Sequence, residues 1–315
     1  MAGDDIINDA EHAQALVISG TSTGGEAGDV VSVVLNGKTY TTTLDASGNW
    51  SVGVPAADVA ALGSGAQTIT ASVSDRAGNS DDASRTVTVS LSAPVISINT
   101  IAGDDVINAT EKGSNLALSG TSDQPAGTAI TVTLNGQNYS ATTDASGNWS
   151  VTVPASAVSA LGEATYSVTA SVSNAQGNSS TASHNVQVNT ALPGVTINPV
   201  TTDDIINAAE AGSAQTISGQ VTGAAAGSTV TVELGGKTYT ATVQADLSWN
   251  VSVPAADWQA LGNGELTVNV SVTNAVGNTG SGTRDITIDA SNHLRLGVFD
   301  NIHHIITRDG IHPQA

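Results

Sequence analysis

Gly3-Asp4-Asp5-Ile6-Ile7-Asn8 returns as Gly103-Asp104-Asp105-Val106-Ile107-Asn108, and again as Thr202-Asp203-Asp204-Ile205-Ile206-Asn207, at spacings of 100 and 99 residues. Trp50, Trp149 and Trp249 keep that period, as do Tyr40, Tyr139 and Tyr239, and Pro55, Pro154 and Pro254. The pairs Gly78-Asn79, Gly177-Asn178 and Gly277-Asn278 follow in register. So many landmarks in phase are not chance. A unit near 100 residues is too long for a solenoid repeat and has the size of a small autonomous domain, so the chain is a string of such domains.

Within one unit the pattern is all β. In the second, Val95-Ile96-Ser97-Ile98-Asn99 predicts a first strand, with the Gly103-Asp104-Asp105 stretch as the loop after it. Leu116 to Ser119 and Ile130 to Leu134 are the next two strands. Asn135-Gly136 is a two-residue hairpin signal, because both central residues of a type I′ turn need positive φ. Tyr139 to Thr142 is the return strand, Asp144 to Asn148 a turn, and Trp149 to Val153 an alternating half-buried strand. Pro154 to Gly162 starts with Pro, ends with Gly and is Ala-rich between, which predicts one or two helical turns. Tyr166 to Ser173 and Ala182 to Val188 complete a set of seven strands, the pattern of an immunoglobulin-like sandwich. The chain has no cysteine, so packing alone must hold the sheets, with the repeated Trp as core anchor.

Three tandem Ig-like β-sandwich domains in a linear array are therefore expected. The boundaries are 1–91 (first strand missing), 92–190 and 191–290, with 291–315 a non-repeat tail that reads as a non-native extension, a natural end or the start of a different domain. Ser92-Ala93-Pro94 and Ala191-Leu192-Pro193-Gly194 are short junctions, not flexible linkers. Lacking its first strand, the first domain is expected to leave a sheet edge unpaired. The tail holds four of the six His, but His303 and His304 are adjacent, and neighbours on a strand point to opposite faces, so they make a poor metal site.

Charge excludes several functions. Lys+Arg number 8 against 28 Asp+Glu, a formal net charge of -20. Nucleic acids and anionic membranes both require cations on the protein. No apolar run approaches the roughly 20 residues of a membrane span, so no membrane insertion is expected. The N-terminus has neither a basic region nor an apolar core, so no signal peptide is expected in it. Aromatic residues are 3% and charged residues 11% of the chain, thin material for a deep catalytic pocket, and no enzyme is expected.

Carboxylates are the candidate chemistry. Each unit carries an Asp pair followed six residues later by Glu: Asp4, Asp5 and Glu11; Asp104, Asp105 and Glu111; Asp203, Asp204 and Glu210. Few basic residues lie nearby in sequence, with only Lys112 close. One reading is Ca2+, a hard cation that takes oxygen ligands in irregular loops. The other is a solvated acidic turn in which Asp caps backbone amides. In a sandwich the loop after the first strand lies at the pole beside the next domain. Asp4 and Asp5 would then face Asp123, Asp144 and Asn174, and Asp104 and Asp105 would face Asp246 and Asn274. An ion there would turn a chain of beads into a stiff rod. Asp45-Ala46-Ser47-Gly48-Asn49 and its copies lack the spaced acids of an EF-hand and are better read as turns. His12 and His184 are lone residues, and no triad can be drawn around them. The repeated Trp and Tyr alternate with Val and read as core. Trp258 and Tyr166 have no aromatic counterpart in the other units and are the candidates for an exposed contact with a glycan or protein.

Gly-Asp-Asp-Val-Ile-Asn-Ala-x-Glu, Leu-Asn-Gly-x-x-Tyr, Asp-x-Ser-Gly-x-Trp-x-Val-x-Val-Pro and Ala-x-Gly-Asn, taken together over about residues 1–290, resemble bacterial Ig-like repeats. Such repeats form the stalks of giant repetitive adhesins secreted by type I systems, the biofilm-associated proteins and the large Salmonella adhesin among them. The resemblance implies Ca2+ at or near domain junctions, with the three acidic loops as candidates. It also implies secretion to the bacterial cell surface and a role in adhesion or biofilm formation. Partners would be neighbouring repeats of the same chain and a host surface or biofilm matrix, the chain otherwise being a monomer. Thr202 replaces the Gly of the motif, and Leu247 and Ser248 replace its Ser-Gly, which sets the third loop apart.

Overall fold

The computed structural model describes residues 3–291. The expectations for the tail, including the His303-His304 pair, lie outside the described residues from 292 onward. Two compact units divide the chain, residues 1–189 and 190–315.

The first unit holds two sandwiches. One runs β1 (Ile6–Ile7), α1 (Asp9–His12), β2 (Leu16–Thr21), β3 (Val30–Leu35), β4 (Lys38–Thr43), β5 (Asn49–Val54), α2 (Ala56–Val59), β6 (Gly65–Ser74) and β7 (Ser80–Val89). The other runs β8 (Val106–Ile107), a 3-10 turn (Glu111–Gly113), β9 (Leu116–Thr121), β10 (Ala129–Leu134), β11 (Gln137–Thr142), β12 (Asn148–Val153), α3 (Ala155–Ser159), β13 (Thr165–Ser173) and β14 (Ser179–Val188). The second unit repeats the plan. It runs β15 (Gly194–Ile197), β16 (Ile205–Asn207), α4 (Ala208–Ala211), β17 (Gln215–Thr222), β18 (Thr229–Leu234), β19 (Lys237–Thr242), β20 (Ser248–Val253), α5 (Ala255–Ala260), β21 (Gly264–Thr273) and β22 (Thr279–Asp289).

In the third sandwich a three-stranded sheet, β15-β17-β20, faces a five-stranded one, β16-β22-β21-β18-β19. The five-stranded sheet recurs as β8-β14-β13-β10-β11 and as β1-β7-β6-β3-β4. Each sandwich has its own hydrophobic core. The predicted alternation is seen directly. On β10, Ile130, Val132 and Leu134 are buried and the residues between them are not, which makes one face of the strand the core face. The hairpin signal also holds, with Asn135 and Gly136 at φ of 49° and 74°.

Two details differ from the sequence reading. The first strand of the second sandwich lies along the β9 edge, with Ser97 and Asn99 donating to the carbonyls of Thr121 and Ser119, both at 2.8 Å. Only Ile96 opposite Ser122 forms a regular bridge, whereas its counterpart β15 pairs over four residues. The second difference is an eighth strand. Directly after each Asp pair, β1, β8 and β16 pair in parallel with the last strand of their sandwich.

Candidate functional site

Each acidic loop is a pivot that carries the chain from one sheet to the other. The first aspartate makes a tight local turn: an Oδ1 of Asp4, Asp104 or Asp203 accepts from the backbone amide of Ile6, Val106 or Ile205, each at 3.1 Å. The second aspartate takes the left-handed conformation, with φ of 61° at Asp5, 64° at Asp105 and 58° at Asp204. Asp and Asn visit that region more readily than other non-glycine residues. Reversed there, its carbonyl accepts from the last strand: Asp5, Asp105 and Asp204 take the amides of Thr88, Gln187 and Thr287, each at 2.9 Å. Those bonds begin the short parallel strand.

The carboxylate of the second aspartate faces a basic side chain on that last strand. Arg85 Nε donates to Asp5 at 2.8 Å, Arg284 Nε to Asp204 at 2.9 Å, and His184 Nε2 meets Asp105 Oδ1 at 2.7 Å. A second guanidinium nitrogen of each arginine also pairs with its aspartate. Asp105 and Asp204 in addition accept from the amides of Ile101 and Val200, at 2.8 and 3.0 Å. The hydrogen bond from Arg85 holds Asp5 below the ordinary carboxylate range, as that from Arg284 does for Asp204. For Asp105 the amide of Ile101 contributes most, followed by His184. The scarcity of nearby base in the sequence is therefore misleading, because the partner comes from some 80 residues away.

The glutamates close the motif as capping boxes. Asn8, Asn108 and Asn207 donate their amides to Glu11, Glu111 and Glu210 at 3.2, 3.0 and 3.0 Å, and each Asn Oδ1 accepts from the Glu amide in return. This reciprocal pair starts the helical turn before the next strand. Asp144 accepts from the amides of Ser146 and Asn148 at 2.7 and 2.9 Å, and Asp123 from Val95, all inside the second sandwich. Asp246 is not the counterpart of Asp144. Measured from the tryptophan, Gln244 is, and Asp246-Leu247 replace Ser146-Gly147, with Leu247 keeping the left-handed φ at 64°. Asp246 binds Ser248 in its own turn. The carboxylates do not converge: among the described residues no three His, Asp or Glu side chains come together as a metal cage. As arranged, these loops perform turn-and-cap chemistry.

The contact between the first two sandwiches is built from asparagine. Asn178 is 3% exposed. Its Oδ1 accepts from the amide of Asp9 at 2.8 Å, and its Nδ2 donates to the carbonyls of Ser90 at 2.8 Å and Ser92 at 3.3 Å. Asn174 Nδ2 also donates to Ser92, at 2.9 Å. Gly177 carries φ of 85°, and a Cβ there would sit 2.8 Å from Asn8 Nδ2. The Gly-Asn pair, a period marker in the sequence, is thus the contact itself. Of the group expected at this pole, Asn174 is present, but it meets main chain, not Asp4 and Asp5. In the third sandwich Asn274 and Asn278 donate likewise to the carbonyl of Ala191, at 3.2 and 3.3 Å.

The aromatic candidates move inward. Trp258 is 0% exposed and its Nε1 donates to Val253 at 3.2 Å. It stands where Val59 and Val158 stand, and the extra volume is matched by Ala211 on the adjoining α4, where the other repeats have His12 and Lys112. Tyr166 is half-buried and its hydroxyl accepts from the Gly162 amide at 2.9 Å. Trp149 and Trp249 are core residues as expected, but Trp50 is only partly buried.

The comparisons with known proteins agree with this architecture. The Ca2+-stabilized adhesin that helps an Antarctic bacterium reach out and bind ice is 38% identical, over 92% of this chain and 72% of that one, with a TM-score of 0.50. A 1.5-MDa bacterial ice-binding adhesin, studied for its retention at the host cell surface, is 33% identical over 92% of this chain and 95% of that one, with a TM-score of 0.51. No curated protein matches. The chain is thus homologous to repeat regions of large bacterial adhesins. The profile of the family described as bacterial Ig-like domain matches residues 4–91 and 90–190. The chain belongs to that family, the bacterial Ig-like domains.

Proposed function

We propose that the chain is a structural stalk segment of a secreted bacterial surface adhesin, with domains at 1–91, 92–190 and 191–290. Its work is mechanical: it holds a distal binding region away from the cell and so supports adhesion or biofilm formation, without catalysis. The observation that carries this reading is Asn178, buried between the first two sandwiches and bonded to main chain on the first. A flexible tether needs no buried polar group between its beads. A load-bearing one does, because a directional bond fixes the angle that apolar contact leaves free. Removing the amide takes from the Asp9 amide and the Ser90 and Ser92 carbonyls their bonds to the second sandwich.

The chain has no cysteine, so spin labels at Ala46→Cys and Ala145→Cys, both exposed turn positions, report the distance between the first two sandwiches. A narrow distribution that broadens in Asn178→Ala is expected. Equal widths in both proteins would overturn a stalk stiffened at this contact.

A second reading gives Ca2+ a share in the stiffness. It is favoured by the Ca2+-stabilized adhesin at 38% identity. It is also favoured by Asp4, Asp104 and Asp203, which pair with no Lys, Arg or His among the described residues. Those three would be the ligands, supplemented by main-chain carbonyls. The glycan-binding alternative loses its main support with the burial of Trp258.

A further inference from the structure

Tension on a sandwich enters and leaves at fixed points. In the second, the incoming chain passes Ser92, whose carbonyl accepts from Asn174 and Asn178 just ahead of β14. The outgoing chain leaves at the other end of β14, a strand of 10 residues, or roughly 30 Å at about 3.3 Å per residue. The third sandwich is arranged alike. Asn274 and Asn278 hold the Ala191 carbonyl ahead of β22, which runs 11 residues to Asp289.

β8 lies between these two points. It pairs in parallel with Gln187 and Val188, the last residues of β14. When the ends of the sandwich are pulled apart, β8 is drawn toward the start of β14 and Val188 away from it. The two strands slide along each other, so the bonds that join them are loaded together instead of opening one by one. Those bonds are the Gln187 amide on the Asp105 carbonyl at 2.9 Å and the Asn189 amide on that of Ile107 at 3.0 Å. Residues 95–99 lie on the entry side of this patch. Once Ser97 and Asn99 let go of β9, the load falls on β8, and while β8 holds, β9 to β13 carry none of it. β1 makes the same two bonds, from Thr88 to Asp5 at 2.9 Å and from Ser90 to Ile7 at 3.0 Å, and β16 pairs with β22 over Ile205, Ile206 and Asn207.

The pivot aspartate fastens this patch to a second point on the last strand, and the fastening differs among the sandwiches. Arg85 and Arg284 each present two nitrogens to two carboxylate oxygens, a fork that fixes geometry as well as contact. Arg284 also donates to the Ile197 carbonyl at 3.0 Å, which ties β15 to the same strand. In the second sandwich His184 offers one nitrogen to one oxygen, at 2.7 Å.

We propose that β1, β8 and β16 are shear latches that set the force at which each sandwich opens, and that the second sandwich, fastened by His184 where the others have arginine, opens first. Its use to the protein rests on the stalk reading: one weaker joint yields length at a single place and spares the rest. The latch itself rests on strand geometry alone.

The chain has no cysteine, so the full chain can be held by a cysteine added at each end and pulled in chelator, with the opening steps resolved. His184→Arg should raise the lowest step to near the others and leave those unchanged. Arg85→His should bring a second step down to the lowest level. At constant force, Asp105→Ala should shorten the lifetime of one sandwich roughly tenfold, the effect of about 1.4 kcal/mol off the barrier. Val132→Ala is the control for stability alone. It lies in the second core on β10, which β13 separates from β14, so it should lower melting as a core truncation does but lower the force less than Asp105→Ala. An unmoved lowest step in His184→Arg, or equal loss of force per degree of melting in Val132→Ala and Asp105→Ala, would each overturn the proposal. A chain shown to have no place in a stalk would keep this order of opening, so the two readings fail separately.

Discussion

The aspartate at positions 5, 105 and 204 performs three tasks with one side chain. It accepts the left-handed conformation, bonds the backbone four residues back in two of the three loops, and faces a basic side chain on the last strand. Asp105→Ala removes all three and should lower the melting temperature of the second sandwich by several degrees. Asp105→Asn keeps the conformation and an oxygen acceptor, so it should retain most of the stability. If the residue instead served a cation, Asn and Ala would be nearly equal, and melting in chelator separates the two. The pH dependence has a definite sign. A carboxyl held low in the folded state adds stability that is complete above its unfolded value, near 4, and lost as pH falls through the folded value. The Asp5, Asp105 and Asp204 contributions should therefore disappear on acidification below about pH 4. The turn-and-cap reading of these acids was available from sequence alone, since Asn-x-x-Glu is a capping signature. The basic partners were hidden by distance along the chain, although Arg85, His184 and Arg284 keep the repeat period.

At the scale of the element, strands came through clearly because each has one face on a core and one on solvent, which writes period two into the sequence. β8 did not, because two residues carry no period, and its pairing is imposed by the main chain of Asp105. Trp258 was misread for a related reason. Its environment is set by Ala211, which lies on a different element. The first strand explains the unequal burial of the repeated tryptophans. Trp149, under residues 95–99, should cost the second sandwich about 3–5 kcal/mol on truncation to Ala, as for a large buried aromatic. Trp50, with none of the described residues laid across Gly20, should cost the first sandwich clearly less in this chain. Chemical denaturation of the two variants, followed domain by domain, checks this. Equal losses would mean that the first strand contributes nothing to the packing of the tryptophan.

For the whole molecule the governing quantity is a net charge of -20. Like charges on neighbouring domains repel, and any salt relieves that repulsion by shortening a Debye length of about 30 Å at 0.01 M to about 3 Å at 1 M. A Ca2+ effect on melting is thus ambiguous until screening is subtracted. Bound Ca2+ stabilises by mass action and saturates with its dissociation constant, whereas screening follows ionic strength whatever the ion. The comparison is CaCl2 against NaCl at matched ionic strength, with chelator as the baseline. A specific site on the Asp4, Asp104 and Asp203 loops should give an increment at millimolar CaCl2 that NaCl does not reproduce, and Asp104→Ala should remove the second sandwich's share. If the two salts superimpose, Ca2+ acts only as a counterion here. The directional bonds of Asn178 then carry the stiffness of the first contact unaided, because a hydrogen bond between uncharged groups is indifferent to which cation does the screening.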